Sequence, residues 1–138
     1  MTAVSSVLFS GIDLPATDRS PAVRFDPAAG ALALSGESYP EDAAAFFGPI
    51  LHGLRAFLQM EGPSVTVDIA LIYFNSSSAK ALMNIFQMLE EAAANGRSVT
   101  VNWHFAPDDE TMEEFGEDFA SDLDAIDFVM CADEEPSG

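Results

Sequence analysis

Val65-Thr66-Val67-Asp68-Ile69-Ala70-Leu71-Ile72-Tyr73-Phe74 runs without a break into Asn75-Ser76-Ser77-Ser78-Ala79-Lys80. β-Branched and aromatic residues fit the pleated backbone of the first stretch, and its second half is apolar on both faces, which predicts a strand in the middle of a sheet. Asn and Ser then follow, side chains that accept hydrogen bonds from the free N–H groups of a helix's first turn. Leu82, Ile85, Phe86, Leu89 and Ala93 recur on one stripe, and Asn95-Gly96 supplies a stop. Strand, polar turn and helix in this order form the unit from which α/β domains are built.

Downstream, residues 98–105 alternate around Val99, Val101, Trp103 and Phe105, which predicts a parallel neighbour reached by a right-handed crossover. Residues 108–120 open on three acids, favourable at a positive helix N-terminus, and carry Met112, Phe115 and Phe119 on one face. Residues 126–130 predict a short last strand. Upstream, Val23-Arg24-Phe25 and Leu32-Ala33-Leu34 flank the turn formers Asp26-Pro27-Ala28-Ala29-Gly30, the pattern of a β-hairpin. Ser38-Tyr39-Pro40-Glu41 matches a Ser-x-x-Glu capping box, so a helix is expected from there to about Met60, packed through Phe46, Phe47, Ile50, Leu51, Leu54, Phe57 and Leu58.

The expected fold is therefore α/β: a single domain with a mixed four- to five-stranded sheet, an N-terminal hairpin at one side and about three helices. Residues 1–20, with a small apolar cluster at Val7, Leu8, Phe9 and Ile12, are expected to form a loose arm or an added edge strand. Residues 21–130 form the domain and residues 131–138 an acidic flexible tail. There is no internal repeat, and such an architecture alone names no function.

Composition narrows the partners. The 138 residues carry 23 Asp and Glu against 5 Lys and Arg, a formal charge of −18. A surface this acidic repels phosphate backbones and anionic headgroups, which argues against nucleic acid or a membrane and for basic protein surfaces. The single cysteine, Cys131, excludes an internal disulfide and a Cys-rich zinc site. Apolar stretches fall short of a membrane span and the N-terminus lacks a basic signal-peptide region, so a cytoplasmic protein is expected.

The chemistry concentrates at Asn75–Lys80. Hydroxyls stand where a core strand ends and a helix begins, a place where backbone N–H groups and the helix dipole favour a phosphoryl group. The serines serve as helix caps, as phosphate acceptors, or as both; three exceed what one cap needs. Ser77-Ser78-Ala79-Lys80 also fits Ser-x-x-Lys, in which a lysine activates a serine nucleophile, yet the companion motifs Ser-Asp-Asn and Lys-Thr-Gly are missing from the sequence. A Ser76, His104, Asp68 triad lacks a Gly-x-Ser-x-Gly elbow. His104 is expected to be a hydrogen-bonded strand residue and His52 a helix residue rather than ligands. Glu110, Glu113, Glu114, Glu117 and Asp118 offer oxygens to a hard cation but no Asp-x-Asp-x-Asp-Gly loop, and predict a solvated, acidic docking face. No cofactor and no metal are expected.

Three ordered motifs resemble a known family. Ser35-Gly36-Glu37-Ser38-Tyr39-Pro40-Glu41-Asp42 is similar to a Gly-acid-Ser-Tyr-Pro-Glu-Asn segment of the SiaC-type bacterial regulators, whose fold resembles STAS anti-anti-sigma factors. Leu71-Ile72-Tyr73-Phe74-Asn75-Ser76-Ser77-Ser78-Ala79-Lys80 resembles that family's Leu-Leu-Tyr-Leu-Asn-Thr-Ser-Ser-Ile-Lys, and Gly96-Arg97 with Val99, Val101, Trp103 and His104 resembles its Gly-Arg-Pro-Val and Trp-His pattern. The resemblance, over residues 31–129, implies a non-catalytic partner-switching adaptor. A cognate kinase phosphorylates its hydroxyl and a PP2C-like phosphatase clears it. Unmodified, such an adaptor binds and activates a diguanylate cyclase, raising cyclic di-GMP and promoting biofilm formation. Carried over by position, the acceptor threonine falls on Ser76, with Ser77 and Ser78 as fallbacks, and Tyr39, Asn75, Ser77, Ser78 and Lys80 as partner-binding residues. Asp68 on the preceding strand is a further candidate to border the site. The alternatives are a constitutive interaction scaffold of STAS-like fold and, further off, a small serine hydrolase.

Overall fold

A computed structural model describes residues 11–60 and 62–132. The hairpin forms in the expected register: β2 (Ala22–Asp26) pairs antiparallel with β3 (Ala31–Ser38), Val23 opposite Leu34 and Phe25 opposite Leu32. From β3 the chain passes through α1 (Ala43–Leu58) to β4 (Val65–Phe74), through α2 (Ser76–Ala94) to β5 (Val99–Phe105), and through α3 (Glu110–Ser121) to β6 (Asp127–Ala132). The three β3–β4, β4–β5 and β5–β6 pairings are all parallel. A short β1 (Ile12–Leu14) pairs antiparallel with β2, so the sheet has six strands in the order of the sequence. The sixth strand exceeds the four to five expected, and it comes from the part of the arm that follows Gly11. The cluster at Val7, Leu8 and Phe9 and the tail from residue 133 on lie outside the described residues. Strand β6 takes in Cys131 and Ala132, the first residues of the segment expected to be tail.

Because the parallel strands advance in one direction, right-handed crossovers place every helix on the same face. The burial pattern agrees. Val65, Val67, Ile69 and Leu71 of β4 and Val99, Val101, Trp103 and Phe105 of β5 are buried beneath the helices. The other face carries Thr66, Asp68 and Ala70 of β4 with Thr100, Asn102 and His104 of β5, none of them buried. Phe47, Ile50 and Leu54 of α1 and Leu82, Ile85, Phe86 and Leu89 of α2 complete one core. Each such side chain contributes about 1.5–3 kcal/mol of burial.

Two local expectations are corrected. Ser38 does not cap α1: it is the last residue of β3, fully buried, and the cap is Asp42, whose Oδ1 accepts from the Ala45 N–H at 3.1 Å. The Ser-x-x-Glu pattern arises where a strand ends, and Ser38 has another partner, given below. The second half of β4 is also not covered on both faces, since Ile72 is 68% and Tyr73 52% exposed. The β3–β4 register slips there, Gly36 facing Leu71 and Glu37 facing Tyr73, so Ile72 is an extra, bulged residue. Gly36 takes φ +107°, which glycine alone adopts without strain. The bulge breaks the two-residue period and turns two large side chains outward in succession.

α2 is tied to the turn leading into the last strand by Glu90, whose carboxylate accepts from the N–H groups of Asp124 at 3.0 Å, Ala125 at 2.8 Å and Ile126 at 3.3 Å. The Ala125 N–H foremost, with Asp124 and Ile126, holds this carboxyl below the ordinary glutamate range despite opposing desolvation. A depressed folded pKa contributes stability that is complete above the unfolded value and is lost as pH falls through the folded one. Glu90→Gln is therefore expected to be less stable than the parent at pH 7, with the difference closing as the pH drops below the carboxylate range. Urea denaturation at both pH values measures it, and a difference that persists unchanged in acid would remove this carboxylate from the account.

Candidate functional site

Where β4 hands over to α2, the backbone and side chains of β3 meet the first turn of the helix. Asn75 is the N-cap, its Oδ1 accepting from the Ser78 N–H at 2.9 Å, while its own N–H donates to the Ser38 carbonyl at 3.1 Å. One residue does the capping, so none of the three serines is needed for it. They occupy the first three positions of the helix and separate by burial.

Ser78 is fully buried, and its hydroxyl shares a 2.8 Å hydrogen bond with the equally buried hydroxyl of Ser38. These are the only buried polar side chains among the described residues, and each satisfies the other. Ser76 and Ser77 face solvent. Ser76 stands at the helix's first position, where the dipole and unpaired N–H groups favour negative charge.

The surroundings are apolar on one side and charged on the other. Tyr39, just after β3, meets Tyr73 edge-to-face with ring centroids 5.7 Å apart. With the exposed Ile72 they form an aromatic and aliphatic rim at the strand ends. On the other side Asp42, Phe47, Leu51, Ser77, Lys80 and Asn84 line a groove of about 540 Å³ between α1 and α2. Lys80, exposed one turn beyond Ser76, is the only lysine of the chain. The structure thus brings Tyr39, Asn75, Ser76, Ser77, Ser78 and Lys80 to one corner. Ile72, Tyr73 and Ser38 belong there too. Their signal was a run of apolar residues at a strand end and a hydroxyl beside it, which only the bulge and the β3–β4 register convert into a surface.

Asp68 does not border this corner. It lies on the sheet face away from the helices, where its Oδ1 accepts from Asn102 Nδ2 at 3.0 Å and pairs with His104 Nε2 at 2.9 Å. His104 and Asp68 thus form two members of the triad considered above, but Ser76 sits at a helix end and makes no hydrogen bond to either among the described residues. Ser77 and Lys80 likewise make no hydrogen bond to each other, which leaves the Ser-x-x-Lys pattern without an activated nucleophile. His52 is an exposed α1 residue. On α3, Glu110, Glu114, Glu117 and Asp118 are exposed, and no group of three or more His, Cys, Asp or Glu among the described residues is placed to hold a metal ion. No helix among those residues is long and apolar enough to cross a membrane.

A one-sided mixed sheet with helical crossovers is a STAS-like fold, and here it carries an exposed hydroxyl at a helix N-terminus. Comparison with known proteins specifies it further. Residues 14–133 match the SiaC family of regulatory phosphoproteins, and the chain belongs to that family. An uncharacterised protein of Pseudomonas aeruginosa (strain UCBPP-PA14) is 36% identical over 126 residues, 91% of this chain and 99% of that protein. The crystal structure of apo-SiaC from Pseudomonas aeruginosa superposes with a TM-score of 0.82 at 35% identity, over 88% of this chain and 98% of that one. A chain in the crystal structure of the diguanylate cyclase SiaD in complex with its activator SiaC, from the same organism, matches with a TM-score of 0.85 at 35% identity, over 88% of this chain and 99% of that one. Membership of this family makes the protein a regulator rather than an enzyme.

Proposed function

We propose that this protein is a cytoplasmic partner-switching regulator, phosphorylated on Ser76 by a cognate serine/threonine kinase and cleared by a PP2C-like phosphatase. In the unphosphorylated form it binds and activates a diguanylate cyclase. The observation that carries this reading is the division of labour in one helical turn. Asn75 caps the helix and Ser78 is sealed against Ser38, which leaves Ser76 exposed with no structural duty beside the Ile72–Tyr73–Tyr39 rim. The match to the activator chain of a cyclase complex supplies the class of effector. Serine in place of the family's threonine keeps the nucleophilic oxygen and loses one methyl; Ser77 is the fallback acceptor, and the buried Ser78 offers a kinase no hydroxyl.

A phosphate on Ser76 carries a charge of about −1.5 to −2 at neutral pH. At the helix N-terminus it is tolerated, but against a partner packed on the aromatic rim it must be desolvated, and that opposes binding. Tyr39, Asn75, Ser77 and Lys80 complete the contact surface in this reading, Lys80 as its single cation.

Calorimetry against the cognate cyclase is expected to show Ser76→Ala binding like the parent, and Ser76→Asp and the kinase-treated protein binding at least roughly tenfold more weakly, about 1.4 kcal/mol. Equal affinity for all forms would overturn the switch. A chain that stays unphosphorylated in cells lacking candidate phosphatases would leave the constitutive scaffold in its place.

A further inference from the structure

The two edges of the sheet are built differently. At one edge β1 has only three residues, includes Asp13 and is followed at once by Pro15, three devices that discourage an added strand. At the other, β6 pairs with β5 over six consecutive residues with no register shift, and no further strand lies beyond it among the described residues. Its sequence, Asp127-Phe128-Val129-Met130-Cys131-Ala132, has no proline, no lysine and a single charge at its first position. Phe128 and Met130 turn toward the helices, and Val129, on the open face, is 37% exposed. A regular, apolar outer strand presents a row of backbone donors and acceptors that an extended segment can satisfy.

Charge decides what fits there. After Arg97 the sequence contains 13 Asp and Glu residues and no Lys or Arg, and β6 lies among them, with Asp122 and Asp124 before it, Asp127 as its first residue and Asp133, Glu134 and Glu135 after it. A second copy pairing edge to edge would bring two such acidic sets together, which repulsion opposes. A strand with basic ends is attracted by them. We propose that the outer edge of β6 is a second docking surface, which takes an extended partner segment of alternating apolar residues flanked by Lys or Arg as a seventh strand. This surface is independent of the Ser76 corner.

The test uses the full chain and the peptide Lys-Lys-Val-Thr-Val-Thr-Val-Lys-Lys, followed by amide NMR. The amides of Asp127–Ala132 are expected to shift and to exchange more slowly on titration, with affinity falling steeply with salt. The same peptide with Glu in place of Lys is expected to bind at least roughly tenfold more weakly. Val129→Lys should weaken binding by about tenfold and Val129→Thr by no more than about twofold, since only the former places a like charge on the edge. Ser76→Asp should leave this binding unchanged, which separates it from the switch. The proposal is overturned if the peptide shifts no β6 amides at about 1 mM, if the Glu peptide binds equally well, or if the protein forms a dimer that Val129→Lys abolishes.

Discussion

Replacing Ser78 by Asp is expected to cost about 3–5 kcal/mol of stability, whereas Ser76→Asp, two residues earlier in the same turn, leaves stability unchanged or raises it by about 0.3–1 kcal/mol. The difference follows from burial. Ser78 is fully buried and its only hydroxyl partner among the described residues is the Ser38 hydroxyl, which can donate one hydrogen bond to a carboxylate that needs several. The helix dipole favours an acid at either position, but by too little to offset desolvation of the buried one. Ser76 pays no such penalty, being exposed, so the dipole acts alone. Ser78→Ala is the milder control. It strands the Ser38 hydroxyl in the core at a cost of about 1–3 kcal/mol. Against a total stability of about 5–15 kcal/mol the Asp variant should melt well below the parent, and urea denaturation followed by circular dichroism reads all three. A Ser78→Asp protein as stable as the parent would mean that Ser38 and Ser78 do not seal this turn, and Ser78 would return as a phosphate acceptor.

The contrast between these serines marks how far the sequence could be read. Periodicity placed the strands and helices because one-sided burial imposes it: two-residue alternation in Val99–Phe105, three- and four-residue spacing in Leu82–Leu89. The turn from β4 into α2 was legible because a strand end, an Asn cap and a helix stripe are local signals. Which serine is buried is not local, since it depends on β3 ending at Ser38 against that turn, forty positions away. The misplaced cap of α1 has the same origin: Ser38 matches a capping motif, but its hydroxyl is held across the sheet. Ile72 and Tyr73 look like core residues in a central strand until the β3–β4 register slips by one residue. Asp68 seemed near the site in sequence, yet the strand's alternation sends it to the opposite face of the sheet, to Asn102 and His104.

A second large effect is expected far from the serines. Gly116→Leu should destabilise the protein by about 2–4 kcal/mol and shift the emission of its only tryptophan to the red, although leucine is the better helix former by roughly 1 kcal/mol. Gly116 is buried in α3 directly over Trp103: a Cβ there would lie 2.5 Å from Trp103 Cδ1, 2.7 Å from its Nε1 and 2.8 Å from Met130 Cε. The indole cannot retreat. It is fully buried, stacked on Phe128 and bounded by Phe86, and its Nε1 donates to the Met112 carbonyl of α3 at 2.9 Å. The helix must therefore move outward and give up that hydrogen bond, so overpacking and a stranded indole N–H add together. Water reaching the ring then reddens its emission. The consequence extends to the proposed switch, because Phe115 and Phe119 of α3 rest against Phe74, ring centroids 4.8 and 6.4 Å away, and Phe74 is the residue before the Asn75 cap. Under the proposed function, with α3 supporting the turn in this way, Gly116→Leu is expected to weaken binding of a cyclase while Ser76 itself is untouched, and phosphorylation of the variant to make no large further difference. An unshifted emission with unchanged stability would show that α3 rides higher over Trp103 than this packing requires; a red shift with full cyclase affinity would uncouple the Phe74 contact from the binding surface.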